Sequence, residues 1–149
     1  MHFTNHTQDY FNISALLQEN LKLASSYPIV MFSWTVSPAC KKAKKLLAMS
    51  GVEPYVIELD QPWEKGNPIR AVLGRHLGRT SVPMIFIGGQ FIGGCDDGPS
   101  AQSPGLVPLA FMNRLSPMLE KAGAIEPKPV AIPNDEIGTC DNPFDKLAA

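Results

Sequence analysis

The chain has 149 residues, of which 44% are hydrophobic and 18% charged, and its formal net charge is −1. This balance is typical of one folded domain, excludes an intrinsically disordered chain and offers no excess of basic residues for nucleic acid. No apolar run is long enough to span a bilayer, and three cysteines are too few, and odd in number, for a secreted disulfide scaffold.

The first residues, Met1 to His6, contain neither a basic start nor an apolar stretch. A secretory signal needs both features, so none is expected in this chain. Taken with the cysteine count, this favours a reducing compartment, and we expect a cytoplasmic protein without a membrane partner.

The N-terminal region predicts a helix followed by a strand. Apolar residues recur at the spacing of one helix face, namely Ile13, Leu16, Leu17 and Leu21. Tyr27 and Pro28 end this helix, and the continuous apolar run at 29–32 predicts a buried strand.

A second helix is predicted to begin at Ser37 and Pro38, because serine is a preferred N-cap and proline suits the first helical position. Ser50 and Gly51 end it. Four basic residues of this helix are expected to face solvent, namely Lys41, Lys42, Lys44 and Lys45.

The middle of the chain predicts a strand, a third helix and a hairpin. Residues 55–59 are the strand candidate. The Asn-Pro pair at 67–68 predicts the start of the third helix, and Gly78 predicts its end. Residues 83–93 predict two strands joined by a tight turn at 88–89.

The last third is expected to be helical and then irregular. Residues 94–98 form a turn that can open another helix. Residues 106–121 predict two helical pieces, with Pro117 in the first turn of the second piece. From residue 126 onward, prolines interrupt a stretch with few apolar residues.

These elements divide the chain into a domain at 1–125 and a proline-rich tail at 126–149. The order α-β-α-β-α-β-β-α predicts an α/β fold, with a parallel crossover between the first two strands and an antiparallel hairpin at the end. A small mixed sheet with helices on both faces follows from that order.

Three segments then carry a family resemblance: residues 32–47 at a strand-to-helix turn, which include Trp-Thr-Val-Ser-Pro-Ala-Cys at 34–40, Thr-Ser-Val-Pro at 80–83 and Gly-Gly-Cys-Asp-Asp at 93–97. In this order, they resemble those of a glutaredoxin, a thioredoxin-fold protein that uses glutathione. The resemblance covers roughly residues 14–124. It implies a four-stranded thioredoxin fold and a glutathione-dependent thiol–disulfide oxidoreductase that reduces protein and glutathione mixed disulfides.

The resemblance places Ser37 at the family's attacking cysteine and Cys40 at its resolving cysteine. A helix N-terminus lowers the pKa of an attacking thiol, but a hydroxyl is far less acidic and forms no stable mixed disulfide with glutathione. Either Ser37 is an engineered replacement that removes turnover, or it is natural in a relative that binds glutathione or a partner without this reaction. In both cases we expect Ser37 to cap the helix and the exchange reaction to be impaired.

The remaining cysteines have weaker chemical roles. Cys40 is expected to face inward, as the resolving position of this fold does. Cys95 is placed near the glutathione site by the resemblance, either for chemistry or to fill space. Cys140 belongs to the tail and is expected to take no part.

The resemblance also implies a glutathione groove. The Val82 backbone would pair with the cysteinyl part of glutathione, and Pro83 matches the family's cis proline. Cys95 and Asp96 would hold the γ-glutamyl carboxylate through backbone N–H groups at a helix start, with the Asp96 carboxylate meeting the γ-glutamyl amine. Arg70 would face the glycyl carboxylate.

Each of these positions also has a structural alternative. The pair 82–83 is consistent with a plain strand start, Asp96 with an acid that complements a helix dipole, and Arg70 with a solvated helix face. Trp34 stands where many members have lysine; its indole offers stacking or one hydrogen bond to the ligand, but no charge.

No metal site is predicted, because His2, His6 and His76 lack a zinc spacing with the cysteines. Some glutaredoxins hold a [2Fe–2S] cluster through the attacking cysteine and glutathione, so we expect no cluster in this chain with Ser37; for a chain with cysteine restored at this position the question stays open. The expected partners are glutathione and glutathionylated or disulfide-containing proteins, without nucleic acid, and we expect a monomer.

Overall fold

The structure is a computed structural model that describes residues 5–126, with side chains described from residue 12 onward. Within these residues no helix is both long and apolar enough to cross a membrane. The elements follow in the order α1 (Asn5–Ala24), β1 (Ile29–Ser33), α2 (Pro38–Met49), β2 (Tyr55–Glu58), α3 (Trp63–Leu77), β3 (Met84–Ile87), β4 (Gln90–Gly93), α4 (Leu106–Phe111) and α5 (Leu115–Lys121).

The four strands form one mixed sheet of order β2-β1-β3-β4. β1 runs parallel to β2 and antiparallel to β3, and β4 returns antiparallel to β3. The turn between β3 and β4 uses Gly88 and Gly89 at φ of 60° and 80°, a left-handed conformation that glycine adopts at little steric cost. The predicted crossover, hairpin and mixed four-stranded sheet are therefore confirmed.

Helices cover both faces of the sheet, as predicted. Ile29 and Met31 of β1 belong to a core cluster with α2, α4 and α5. Val30 and Phe32, which alternate with them, belong to a second cluster with α1 and α3. Because successive side chains of a strand point to opposite faces, one apolar strand supplies both cores.

The third helix begins earlier than the sequence predicts. α3 starts at Trp63 and contains Pro68, which was expected near its first residue. Gly66 packs so closely on the chain after β2 that a Cβ there would lie 1.7 Å from the Leu59 carbonyl oxygen. This tertiary contact fixes the first turn as helix although Pro68 supplies no amide hydrogen bond.

The chain after β4 differs more from the prediction. Residues 94–98 open no helix, and α4 begins only at Leu106. The twelve residues between, called the 94–105 segment below, contain Pro99 and Pro104. Both prolines lack an amide donor and disfavour helical conformation in the residue before them, so a helix started at 94–98 is not propagated.

Backbone hydrogen bonds close the 94–105 segment onto the end of β4. The Gly94 amide donates to the Asp97 carbonyl at 2.8 Å. At the other end of the segment, the Leu106 amide donates to the Gly94 carbonyl at 2.9 Å and the Val107 amide donates to the Cys95 carbonyl at 2.8 Å. The segment is thus a paired fold-back that delivers the chain to α4.

The C-terminal part of the domain follows the prediction of two helical pieces. They are α4 and α5, and Pro117 is the third residue of α5, in its first turn. Ala124 and Ile125 still pack against the core, close to the predicted domain boundary. Residues 127–149, Cys140 among them, lie outside the described residues, so the tail and its boundary stay predictions.

Candidate functional site

Three turns meet at one edge of the sheet. Phe32 near the end of β1 pairs with Met84 at the start of β3, and Ile85 pairs with Gly93 at the end of β4. The residues after β1, before β3 and after β4 therefore lie side by side. The predicted site residues lie at this edge, on the three turns, at the start of α2 and, for Arg70, on α3. They are Trp34, Ser37, Cys40, Arg70, Val82, Pro83, Cys95 and Asp96.

Ser37 is the N-cap of α2, as predicted. Its Oγ accepts a hydrogen bond from the Cys40 amide at 3.3 Å, and Pro38 occupies the first turn. Such a cap stabilises a helix by about 1 kcal/mol relative to alanine. The group at the predicted attacking position is thus a neutral hydroxyl engaged with the amide three residues ahead.

Cys40 faces inward, also as predicted. Its exposed fraction is 0%, and the Trp34 amide donates to its Sγ at 3.4 Å. A thiol covered by its own turn cannot reach an external disulfide in this arrangement. Cys40 therefore offers no replacement for an attacking thiolate at the surface.

Cys95 is likewise buried, with 2% of its surface exposed, and it belongs to the core cluster that includes α2. Burial raises the pKa of its thiol above the ordinary value, and the neighbouring Asp96 carboxylate raises it further. A raised pKa disfavours the thiolate form of Cys95. Of the two interpretations of Cys95, its packing agrees with space filling more than with sulfur chemistry.

The Val82–Pro83 peptide bond is cis, as the motif predicts. Pro83 is buried, and Val82 packs against the cluster that includes Trp34. Neither the N–H nor the C=O of Val82 bonds to another described residue. The Val82 backbone is therefore free to pair with an extended peptide ligand. The turn after β4 lies next to this backbone, since a Cβ on Gly94 would lie 3.4 Å from the Pro83 carbonyl oxygen.

The predicted helix start at Cys95 and Asp96 is wrong, because these residues lie in the 94–105 segment and not at a helix N-terminus. Their amides donate to no other described residue and remain available to an anion. They lack the summed dipole of a helix, however. The reading of Asp96 as a first-turn acid is wrong for the same reason.

Ion pairs surround these acids instead. The Nζ of Lys42, on α2, lies 2.5 Å from the Oδ1 of Asp96, and this contact raises the pKa of the lysine. The Nη2 of Arg79 lies 2.6 Å from the Oδ1 of Asp97. The sequence analysis missed Arg79, although its position next to the Thr-Ser-Val-Pro motif was a usable signal.

Arg70 and Trp34, which were predicted separately, are in contact. The Arg70 guanidinium lies 5.3 Å from the centroid of the Trp34 ring, within the range of a cation–π interaction. The buried Trp34 Nε1 has no hydrogen-bond acceptor among residues 5–126. The Trp34 ring therefore has a cation beside it at this edge of the sheet.

A second missed residue, Asp60, holds the turn after β1. Its carboxylate accepts hydrogen bonds from the Thr35 amide at 3.1 Å and from the Thr35 hydroxyl at 2.7 Å. These bonds, the hydroxyl above all, lower the pKa of Asp60. The turn that leads to Ser37 is thereby tied to the loop before α3.

The rest of the described surface offers less chemistry. A cavity of about 600 Å³ lies between α1 and α3, away from the three turns, and its mostly apolar lining also includes Asn12, Arg75 and His76. Across residues 5–126 no group of three His, Cys, Asp or Glu side chains is arranged to hold a metal ion.

Known proteins are similar to this chain in both sequence and fold. A family model described as Glutaredoxin matches residues 29–92. "Glutaredoxin" of Ricinus communis is 39% identical over 104 residues, which cover 70% of this chain and 93% of that protein. "Glutaredoxin-C1" of Arabidopsis thaliana is 32% identical over 123 residues, 83% of this chain and 91% of that protein.

Two solved structures show the same likeness. The buckwheat glutaredoxin–glutathione complex has a TM-score of 0.67 and 37% identity, and covers 76% of this chain and 94% of its own. Reduced glutaredoxin C1 from Populus tremula x tremuloides has a TM-score of 0.68 and 36% identity, with coverage of 79% and 93%.

Proposed function

Because this chain belongs to the glutaredoxin family and has its thioredoxin fold, we propose that it binds glutathione and that Ser37 impairs its thiol–disulfide exchange. The observation that carries the proposal is Ser37 Oγ, a hydroxyl bonded to the Cys40 amide, where the family has its attacking sulfur. At family level the activity is glutathione-dependent thiol oxidoreduction.

The exchange reaction explains why one atom matters. A thiolate attacks one sulfur of a glutathione mixed disulfide, forms a new S–S bond to glutathione and releases the other sulfur as a thiolate, which takes up a proton. A second glutathione then restores the enzyme thiolate and leaves as glutathione disulfide. Ser37 lacks the sulfur for the first step, and buried Cys40 cannot take its place.

The binding part of the site supports retention of the ligand. Val82 offers an unpaired backbone donor and acceptor to the cysteinyl residue, and the amides of Cys95 and Asp96 offer donors to the γ-glutamyl carboxylate. Arg70 takes part in no ion pair among the described residues, so its charge is available to the glycyl carboxylate. None of these contacts needs sulfur on residue 37.

The residues present do not fit a resident [2Fe–2S] cluster. Such clusters are held by cysteine thiolates, whereas the described site offers a serine hydroxyl and two buried thiols, Cys40 and Cys95. The proposed partners are thus glutathione and proteins that carry glutathione or a disulfide, bound without turnover.

Two measurements test the proposal together. Titration with S-methylglutathione, which cannot form a disulfide, should shift the amide NMR signals around Val82 and Asp96 at millimolar concentration. Arg70→Ala should weaken this binding, while Arg75→Ala, on the same helix but away from the three turns, should not. Absence of shifts, or shifts confined to residues 126–149, would contradict glutathione binding.

A restored reaction is the second measurement. Ser37→Cys should turn over glutathione mixed disulfides where the unmodified chain does not. If both bind the ligand but neither turns over, the chain is a binding module in which more than one atom departs from the family's enzymes. That alternative shares the groove and differs only in this outcome.

A further inference from the structure

Trp63 has no place in the family motifs, yet it lies against the proposed ligand groove. It is the first residue of α3 and 45% exposed, and it belongs to neither core cluster. Its ring centroid lies 5.4 Å from that of Trp34, the other tryptophan of the chain. A large exposed aromatic side chain outside the core needs another reason for its position.

Arg70 supplies that reason. Its guanidinium lies 6.0 Å from the Trp63 ring centroid as well as 5.3 Å from that of Trp34. Two indole rings therefore border one cation, that of Trp34 well within the cation–π range of about 6 Å and that of Trp63 at its outer limit. With Trp63 removed, the guanidinium would lose one of these two surfaces and gain rotational freedom.

Hydrogen bonds fix the edges of the same guanidinium. The Asn67 Oδ1 accepts from its Nε at 3.3 Å and from its Nη2 at 3.1 Å, and the Thr80 carbonyl accepts from its Nη1 at 3.4 Å. Three of the five N–H donors are used in this way, which leaves two for a ligand. Arg70 is thus held on its edges and faces but has no carboxylate partner among residues 5–126.

We infer that Trp63 is a positioning residue for glutathione binding: it holds the Arg70 guanidinium in the orientation that receives the glycyl carboxylate. The inference rests on the proposed function and deepens it. A guanidinium held in this way loses less freedom when a carboxylate binds, because the donor is already oriented.

The test compares two ligands that differ only at the glycyl end. S-methylglutathione carries the glycyl carboxylate, and S-methyl-γ-glutamylcysteine lacks the glycine. Trp63→Ala should weaken binding of the first about three- to tenfold, as expected for loss of a partly exposed cation–π contact, and leave the second within about twofold. Trp63→Phe keeps an aromatic face and should retain most of the affinity, whereas Trp63→Leu keeps bulk alone and should not.

Phe111→Ala is the matched control, because Phe111 is 83% exposed and lies on α4 outside the three turns. It should change neither affinity. Equal losses for both ligands in Trp63→Ala, or full affinity in Trp63→Leu, would overturn the role in positioning Arg70. Failure of the unmodified chain to bind either ligand would overturn the proposed function itself, so the two failures are distinguishable.

Discussion

The turn after β1 and the 94–105 segment after β4 leave the same edge of the sheet and lead to helices in different ways. The first needs only residues 34–37 before α2, whose N-cap Ser37 bonds to the helix. The second takes twelve residues, and the N-cap of α4 is Gly105, which has no side chain to bond to the helix. One side of the site is thus a capped helix start, and the other is a loop held by backbone bonds and ion pairs.

Under the proposed function, this difference separates two tasks, nucleophilic attack and ligand binding. A helix start concentrates unpaired amides and a partial positive charge at one point, which is what an attacking thiolate requires. A folded-back loop spreads its amides and charged side chains over a wider surface, which suits a ligand with several polar groups. Under the proposed function, the point for attack carries oxygen in this chain, while the surface for binding is retained.

The largest expected effect comes from restoring sulfur at the helix start. Ser37→Cys should raise glutathione-dependent reduction of a mixed disulfide by about a hundredfold or more over the unmodified chain, because only a thiolate serves as nucleophile here. The assay couples glutathione disulfide formation to NADPH consumption. Ser37→Ala, which removes the cap without adding sulfur, is the control and should stay inactive. Equal turnover by the unmodified chain would identify Cys40 or Cys95 as the nucleophile.

The loop side can be tested by adding a single methyl group. In Gly98→Ala the new Cβ would lie 1.6 Å from the Ser103 carbonyl oxygen, so the backbone must shift. The free energy of unfolding from urea denaturation should fall by about 1–3 kcal/mol.

Gly94→Ala is its matched control in the same segment. There the nearest atoms would lie 3.3–3.4 Å away, and the loss should stay below about 1 kcal/mol. If the two substitutions cost the same, the 94–105 segment is not packed as tightly as described.

The thiol pKa values on the two sides of the site should be shifted in opposite directions. In Ser37→Cys, the amides at the start of α2 should hold the pKa of the introduced thiol below the ordinary cysteine value of about 8.5. Burial holds that of Cys95 above its ordinary value. Alkylation rates against pH, followed for each peptide by mass spectrometry, measure both. A pKa for Cys95 at or below that of the introduced thiol would contradict this comparison.

The smallest expected effect concerns the tie between Thr35 and Asp60. The pKa of Asp60 is lowered in the folded chain, so its stabilising contribution is present above the unfolded value of about 3.9 and is lost as pH falls through the folded pKa. Asp60→Asn should lower the Tm at pH 7 and reduce the drop in Tm on acidification below pH 4. Glu53→Gln, an exposed acid elsewhere, is the control; identical acid profiles for Asp60→Asn and the unmodified chain would contradict this role.

The sequence predicts those parts of the site that depend on neighbours along the chain. Ser37 and Pro38 define a helix start locally, and the two glycines at 88–89 define the hairpin turn. The motifs likewise identify the cis bond before Pro83.

The parts that the sequence does not predict depend on contacts between distant residues. α3 begins at Trp63 because Gly66 packs on Leu59, and the 94–105 segment folds back on β4. Asp60 acts through Thr35, twenty-five residues away. Local propensity carries no information on such pairs, so the proline at 68 and the Gly-Cys-Asp turn at 94–96 each predict a helix start where the structure has none.

The central position of β1 has a consequence for the synthesis of this protein. All five residues of β1 are buried, and one of its two partners, β3, begins only at Met84. A nascent chain that has not yet released β3 carries an apolar strand with an open edge, which is a template for pairing with other chains. The chain is therefore exposed to aggregation through this edge until the β3–β4 hairpin has been released and has paired with β1.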